Sequence, residues 1–553
     1  MRQSMRALFS RLQEEYACAR NGIGPLRLTK TELLGLFLRK PWLDLQRAWD
    51  DASPSARIAS LILFCCLAIL AVERVSAPYR SLTRRGFPLL RRPKRQNRWD
   101  FQAKLEEGAR MFPDTPYIIR CDGHEQIVYP SSMFDEIKAL PVTQASLMEY
   151  FAHTIFEGWR FLEPDNSALH GAIGVDLVRS LPTRVREKQD RARKAFDQVL
   201  GPCPEWKSVR LYGTIQQLVT LTNVPALVGL ELGTDPRWLR GLDMLIYSLM
   251  FALFVIGPVP RVFRPIAKFI AFGPNWWVYW RLKRVAHPTV VRDLGRYSKR
   301  ENSHEEAPEL SSKDEFRVGS RLALRYKTED CTADRLAHDL IATMFESLMP
   351  MIRTLCLIIS ELVLRPELAD ELRAELRANL SDGQLPMSQL NELSKMDSFM
   401  REAIRTNFHS YMIVFRRVMK PVKLSAGPEV PAGALICVDA YNMVQSQTQW
   451  EDPVKFDPKR FLKMRQKPGS ERLHQFASLD SNMPTWGGGP QACPGRVFAT
   501  NSMKVLLAHL LLNYDIKLPS GASKPSVVSS PNGAVMPDLM ARILVKGRKE
   551  SSV

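Results

Sequence analysis

The chain has 553 residues, of which 45% are hydrophobic and 24% are charged, so it has enough apolar material for a large globular core. This composition excludes a largely disordered, collagen-like or low-complexity protein. A formal charge of +19 favours an anionic partner: a membrane surface, an acidic protein or a nucleic acid. Nine scattered cysteines without Cys-x-x-Cys pairs predict a reduced chain without a disulfide framework or a structural zinc site.

Near the N-terminus, the run Ile58–Val72 contains no charged residue. As a helix it would span about 22 Å, so flanking arginines would have to snorkel to cover a hydrocarbon core of about 30 Å. The basic stretch at 76–98 places the larger part of the chain on the cytosolic side. We therefore predict a single transmembrane anchor at 58–75, preceded by an N-terminal extension at 1–57 and followed by a basic hinge.

Two alternatives for this region remain open. The apolar run could be a buried core helix, and the Arg-rich start of the chain resembles a targeting peptide, although Glu14 and Glu15 argue against the latter.

A second apolar run, Met244–Ile256, is too short to span a membrane alone. It predicts either a core helix or a helix that dips into the bilayer surface, with Trp277 and Trp280 among later interface anchors.

From about Arg98 onward, helical patterns dominate, and the region 99–553 reads as one large domain. The helices that we predict most clearly are Ala333–Leu364, a helix beginning at Pro366, Asp397–Asn407 and Gly495–Leu512. Between Ile413 and Val438 the pattern changes to short β-type runs broken by glycine and proline. The sequence therefore predicts a mainly α domain with a small β region.

Two charged motifs lie in the C-terminal half. Glu402 and Arg405 stand at i and i+3 on a predicted helix, where they can form an ion pair. Arg460 follows in the aromatic turn Phe456–Phe461 and could join them in a buried three-charge network. Taken alone, each motif is equally compatible with an ordinary surface pair.

The third motif is the Gly-rich loop Trp486–Arg496, which contains Cys493. Glycines such as Gly487 and Gly495 let a backbone approach a bulky flat ligand closely. A cysteine just before a helix is a candidate thiolate, because the dipole and free N–H groups of the helix start favour negative charge. A buried, inert cysteine is the alternative for this residue considered alone.

Together and in this order, the motifs resemble those of the cytochrome P450 family, the haem-thiolate monooxygenases, over roughly Arg98–Lys546. The stretches His474–Pro519 and Leu221–Leu239 are similar to fungal members that oxidise terpenoids, such as ent-kaurene oxidase. The resemblance implies the cytochrome P450 fold, with a single haem domain at 99–553 behind the membrane anchor.

The resemblance also implies roles for the loop residues. Cys493 would be the axial ligand of the haem iron, whose thiolate pushes electron density toward O–O cleavage. Trp486, Gly487 and Gly495 would contact the haem.

Further roles follow from the same resemblance. Arg417 would hold a haem propionate, although strand register leaves its neighbour Arg416 as an alternative. Glu402, Arg405 and Arg460 would form the structural network behind the cysteine loop.

The chain departs from the family pattern at two places. Gln491 stands where a basic residue often contacts a propionate. Pro350 stands where the long helix usually carries a threonine that helps to deliver protons. Glu346 and Ser347 form an acid–alcohol pair one turn earlier, and we predict them as catalytic residues if an insertion shifts the alignment. Alternatively, the two residues cap or solvate a kink at Pro350.

The function that the resemblance implies is oxidation of a hydrophobic substrate, a terpenoid of fungal secondary metabolism. The expected partners are an NADPH-cytochrome reductase, whose acidic face would suit this basic chain, and membrane lipid, but no nucleic acid. The expected location is the endoplasmic reticulum membrane, with a single span and a cytosolic catalytic domain. Two alternatives are a haem-thiolate isomerase or dehydratase that needs no reductase, which Pro350 favours, and a non-enzymatic membrane haem protein.

Overall fold

The computed structural model describes residues 53–56, 60, 82–91, 100–121, 124–161, 167–257, 259, 263–301, 316–327, 331–530 and 533–548. The chain divides into two compact units, Met1–Arg80 and Ser81–Val553, and the elements below belong to the second. The predicted extension and anchor lie outside the described residues, apart from 53–56 and Ser60. The extension, the anchor and its core-helix alternative therefore stay predictions.

Helices form most of the second unit. In chain order they are α1 (Phe101–Met111), α2 (Phe134–Lys138), α3 (Leu147–Thr154), α4 (Ser167–Gly171), α5 (Val178–Val199), α6 (Leu211–Val228), α7 (Leu230–Gly233), α8 (Pro236–Ile256), α9 (Arg264–Glu301), α10 (Val318–Ala323), α11 (Ala333–Leu362), α12 (Pro366–Ala378), α13 (Met387–Glu392), α14 (Ser394–Thr406), α15 (Ala440–Gln445), α16 (Arg460–Arg465) and α17 (Arg496–Asn513). A π-helical segment, Ala172–Leu177, joins α4 to α5.

The strands form three small sheets. They are β1 (Tyr117–Cys121), β2 (His124–Tyr129), β3 (Ala145–Ser146), β4 (Lys207–Arg210), β5 (Met412–Val418), β6 (Leu435–Asp439), β7 (Tyr514–Lys517), β8 (Val527–Ser529), β9 (Val535–Pro537) and β10 (Arg542–Gly547). The largest sheet has the order β1-β2-β6-β5-β3, and the others are β4-β10-β7 and β8-β9. The predicted mainly α architecture with a small β region is confirmed.

The long helix α11 runs through the centre of the core. Thr332 caps its start by accepting a hydrogen bond from the Arg335 amide, and most of its residues are buried. Pro366 then begins α12, as predicted, because proline suits the first position of a helix. The helix continues through Pro350, which has no N–H to donate to the preceding turn.

Among the described residues, two helices are long and apolar enough to cross a membrane: Pro236–Ile256 and Ala333–Leu362. The second is mostly buried within the protein, as expected of a core helix. The first, α8, contains the run at 244–256 and packs one side into the core, while its role at a bilayer surface stays a prediction. Trp238, Leu242 and Leu249 pack into the core, whereas Phe254 is 80% exposed.

Candidate functional site

The cysteine loop is fixed by its own backbone. The Cys493 amide donates to the Trp486 carbonyl over 2.9 Å, and the Trp486 indole Nε1 donates to the Phe476 carbonyl over 2.6 Å. Gly495 caps the start of α17, and the backbone amides of Gly495 and Arg496 lower the pKa of the Cys493 thiol. The sulfur therefore lies at a helix start, as the sequence predicts.

At two positions in this loop the backbone conformation favours glycine, which has no side chain. Gly487 and Gly489 have φ of +70° and +65°, a region that L residues with a side chain rarely adopt. A Cβ atom on Gly489 would lie 2.0 Å from the Lys138 carbonyl oxygen in α2. At Gly495, by contrast, a Cβ atom would meet only Ile173, at an ordinary 3.6 Å. The close backbone approach of this loop to another part of the protein is therefore at Gly489, which the sequence patterns did not single out. The predicted approach of Gly487 and Gly495 to a flat ligand stays a prediction.

Burial controls the protonation of the cysteine. Burial raises the pKa of the Cys493 thiol to about 11, and the nearby Glu346 carboxylate raises it further, whereas the amides of Gly495 and Arg496 lower it. The amides at the helix start therefore favour the thiolate, as expected, but burial outweighs their effect. A cation held at the sulfur would be needed to overcome burial.

The three predicted charges meet in one buried network. Arg405 donates from Nε and Nη2 to the two carboxylate oxygens of Glu402, each over 2.8 Å, and both side chains are fully buried. Arg460 Nε lies 3.2 Å from both oxygens of the same carboxylate. The alternative of ordinary surface pairs is therefore wrong.

Further hydrogen bonds connect this network to the segment at 444–457, which precedes the cysteine loop. Arg405 Nη1 donates to the carbonyls of Val444 and Pro453, over 3.0 and 2.7 Å. The Asp457 amide donates to Glu402 over 2.9 Å. The network thus ties α14 to the segment at 444–457, and its charges satisfy one another, as buried charges must.

A second basic site lies where β5 meets the cysteine loop. Arg417 Nη1 donates to Glu149 Oε2 over 3.3 Å, while its buried Nε has no hydrogen-bond partner among the described residues. Gln491 donates to the Ala145 carbonyl and accepts from the Leu147 amide, both over 2.9 Å. Gln491 therefore links the loop to the β3–α3 segment by hydrogen bonds, and it does not supply the positive charge that a basic residue would have here.

The two neighbouring arginines of β5 occupy different environments. Arg416 is buried, donates to the Phe415 carbonyl over 2.8 Å, and has its pKa lowered to about 10 by burial. The side chain of Arg417 remains 32% exposed. A bulge between Ile413 and Arg416 sets this alternation.

Helix α11 leaves one stripe of its surface open. Glu346, Met349 and Arg353 are partly accessible and Pro350 is exposed, although most of the helix is buried. These residues stand at i, i+3, i+4 and i+7, so they lie on one face of the helix. We call this set the open stripe. The charge of Glu346 raises the pKa of the Cys493 thiol, so the start of the stripe lies near the cysteine loop.

The structure does not join Glu346 to Ser347. The Ser347 hydroxyl donates back to the Thr343 carbonyl over 2.7 Å, whereas Glu346 accepts no hydrogen bond from a described residue. Burial, with a contribution from Asp339, raises the pKa of Glu346 to about 7. Their catalytic role stays a prediction.

A further alcohol lies one turn beyond the proline. Thr354 Oγ1 donates to the Pro350 carbonyl over 2.7 Å and lies 3.3 Å from His409 Nε2. No sequence pattern pointed to His409 or Glu149. Arg353 could have been noticed from its spacing of seven residues from Glu346 in an apolar helix.

Comparison with known proteins identifies the family. The cytochrome P450 family model matches residues 301–545. Cytochrome P450 monooxygenase ffsD of Aspergillus flavipes is 38% identical over 97% of this chain and 99% of its own length. The chain belongs to the cytochrome P450 family. Two other relatives of this P450 are monooxygenase CYP1 of Pyricularia oryzae, 37% identical over 95% of this chain and 99% of the relative, and pyrichalasin C-18 hydroxylase of Pyricularia grisea, 32% identical over 97% and 98%.

A solved structure supports the same fold. The retinoic acid-bound cyanobacterial CYP120A1 matches with a TM-score of 0.59 and 14% identity, over 80% of this chain and 94% of that one. The chain is accordingly a haem-dependent monooxygenase with the P450 fold, related to fungal P450 monooxygenases. Members of this family work with a redox partner and on hydrophobic substrates.

Proposed function

We propose that this P450 hydroxylates a carbon atom of a hydrophobic secondary metabolite, with Cys493 as the axial ligand of the haem iron. The observation that carries the proposal is the placement of Cys493 in the Gly-rich loop directly before the start of α17. We place the substrate beside the open stripe of α11, which begins at Glu346 near the cysteine loop.

The surrounding residues suit haem. Among the described residues, the buried Nε atoms of both Arg416 and Arg417 lack a partner, as donors reserved for a propionate would. Gln491 bonds to the strand that pairs with β5 at Arg417, and its amide is already engaged. Trp486 and Gly487 shape the loop beside the sulfur, and Gly495 begins the helix. When bound, haem supplies the iron that activates oxygen with two electrons from a reductase. The Glu402–Arg405–Arg460 network acts behind the loop by keeping it rigid.

We assign proton handling to residues of α11. Glu346 has a pKa near neutrality, so its carboxyl can both take up and release a proton. Ser347 could carry that proton only by turning away from the Thr343 carbonyl. The Glu346 carbonyl cannot pair with Pro350, which leaves it able to hold a water molecule.

We propose that the protein lies on the endoplasmic reticulum membrane. Besides the predicted anchor at 58–75, the support is an apolar surface on the end of α8 and the start of α9. Its most exposed residues are Phe251, Phe254, Ile266, Phe269 and Ile270, and Trp277 and Trp280 follow along α9. An exposed apolar face with basic residues nearby suits a bilayer surface.

We propose a terpenoid substrate, on the sequence resemblance described above, and an NADPH-cytochrome reductase as electron donor. The name of the pyrichalasin C-18 hydroxylase supports hydroxylation at a single carbon. The test is product analysis after expression with this reductase, using a panel of cyclic terpenes with pyrichalasin as a second substrate class. Turnover of peroxides without NADPH would instead support the isomerase or dehydratase alternative.

The ligand assignment has its own test. Cys493→Ser should abolish the haem-thiolate absorption band of the reduced, carbon monoxide-bound protein. The matched control is Cys331→Ser, since the Cys331 side chain is also partly accessible. A normal band in the Cys493 variant would assign the iron to another ligand.

A further inference from the structure

Arg353 is a charged residue in an otherwise apolar part of α11. Its neighbours Ile352 and Leu355 are buried, and the guanidinium makes no hydrogen bond or ion pair with any residue that the structure describes. Its Nε atom is completely buried. An unpartnered cation inside a protein is costly, so it needs a compensating reason to be there.

The position of Arg353 shows what it faces. It closes the open stripe, seven residues after Glu346, which corresponds to about 10 Å along the helix axis. Met349 and Pro350 lie between the two charges on the same face. Arg353 therefore lies on the same partly accessible face of α11 as Glu346, at the far end of the stripe.

The groups around Arg353 do not neutralise it. Tyr212 donates its hydroxyl to the Met349 sulfur over 3.6 Å. Burial and the Arg353 charge keep the pKa of His409 well below its usual value, so this imidazole is neutral. Burial lowers the pKa of Arg353 to about 10, and the guanidinium is still protonated at neutral pH.

The start of the stripe has apolar, aromatic surroundings. Phe345 lies beside Phe161, with ring centroids 5.4 Å apart, and beside Phe156 at 6.5 Å. A ligand along the stripe would thus have the partly accessible Phe345 ring toward one end and a cation at the other. Planar oxygen acceptors, above all carboxylates, match the fork of a guanidinium.

We propose that Arg353 is a specificity-determining residue, which binds a carboxylate or a planar carbonyl of an otherwise hydrophobic substrate and so orients it along α11. This inference rests on the proposed function, because it places the substrate beside the open stripe of α11. It narrows the substrate class to hydrophobic molecules that carry an oxygen acceptor at one end.

The test compares two probes that differ only in their head group, dodecanoate and dodecan-1-ol. Their dissociation constants are measured on the purified full-length holoenzyme from the shift of the haem absorption band, and from ligand-induced shifts in thermal unfolding. We expect dodecanoate to bind about tenfold more tightly than the alcohol, as for one charge-assisted hydrogen-bonded pair. Arg353→Met should abolish this difference while leaving the affinity for the alcohol within about twofold.

Arg335→Met is the matched control, because Arg335 lies at the start of the same helix and is already paired with Asp339. It should leave the tenfold preference unchanged. If Arg353→Met fails to retain haem, Arg353→Lys is used instead. Lysine keeps the charge but lacks the planar fork of the guanidinium, so the preference for dodecanoate over dodecan-1-ol should be intermediate. Equal affinities in the wild type, no binding of dodecanoate, or equal weakening of both probes in the variant would each overturn the proposal. None of these outcomes depends on turnover or on the Cys493→Ser spectrum, which test the proposed function separately.

Discussion

Replacing Arg405 by alanine should destabilise the haem domain before it affects any chemical step. The guanidinium is fully buried, and it divides its donors between the Glu402 carboxylate and the carbonyls of Val444 and Pro453. Without it, Glu402 keeps only the longer contacts to Arg460, at 3.2 Å, and one amide. A buried carboxylate would then be left partly uncompensated.

The structure sets the size of this effect. Removal of one partner of a buried ion pair costs about 3–5 kcal/mol, and each carbonyl that loses its donor costs about 1 kcal/mol. Because Arg460 still neutralises part of the charge, we expect a total loss of about 4 kcal/mol. That is a large share of the roughly 5–15 kcal/mol by which folded domains are usually stable.

The measurement is the free energy of unfolding in urea, together with the amount of haem per purified protein. Lys459→Ala provides the control, because Lys459 pairs with Glu371 on the surface of the same region. Exposed pairs contribute only about 0–1 kcal/mol, so the control should keep its haem. A variant at Arg405 that retains full haem and stability but turns over slowly would refute the structural role of the network.

Three further predictions concern the loop, the core and α11. Gly489→Ala should lower haem content, because its φ of +65° and its contact with the adjoining helix leave no room for Cβ, whereas Gly213→Ala, in an open helical position, should be harmless. Burial raises the pKa of Asp439 to about 6. Between about pH 4 and 6 the native state therefore binds a proton that the unfolded chain has released. The free energy of unfolding should fall as pH rises through this window, and Asp439→Asn should remove this pH dependence. Pro350→Thr should preserve or improve product formed per NADPH, and Ser347→Ala should raise hydrogen peroxide; tight coupling in the wild type and both variants would exclude Ser347 as the relay.

Local patterns predicted those parts of the site whose geometry is itself local. The ion pair of Glu402 and Arg405 follows from one helical turn, and the sulfur of Cys493 lies at a helix start because the helix begins three residues later. The ends of α11 were predicted to within two residues, since Thr332 and Pro366 mark them chemically.

Features that depend on distant segments could not be predicted in this way. Which arginine of β5 is buried and which is partly exposed depends on a bulge, where Val414 adopts φ of +50°. The bonding of Gln491 to the β3–α3 segment joins residues almost 350 positions apart. Periodicity contains no information about such contacts, which arise only when the loop and the sheet are packed together.

Pro350 shows how the loss of one side chain can leave the chemistry of a position intact. Threonine there would contribute a hydroxyl, whereas proline withdraws an N–H and so frees the Glu346 carbonyl one turn earlier. Thr354 already bonds to the Pro350 carbonyl, and Ser347 to that of Thr343, so each nearby hydroxyl has a backbone acceptor. On this face, the Glu346 carbonyl is therefore the backbone group that has lost its helical hydrogen-bond partner. A water molecule bound to it would lie beside the Glu346 carboxyl. The pKa of this carboxyl, about 7, suits proton exchange. On this reasoning we propose that water ordered at the Glu346 carbonyl takes the place of the side-chain alcohol.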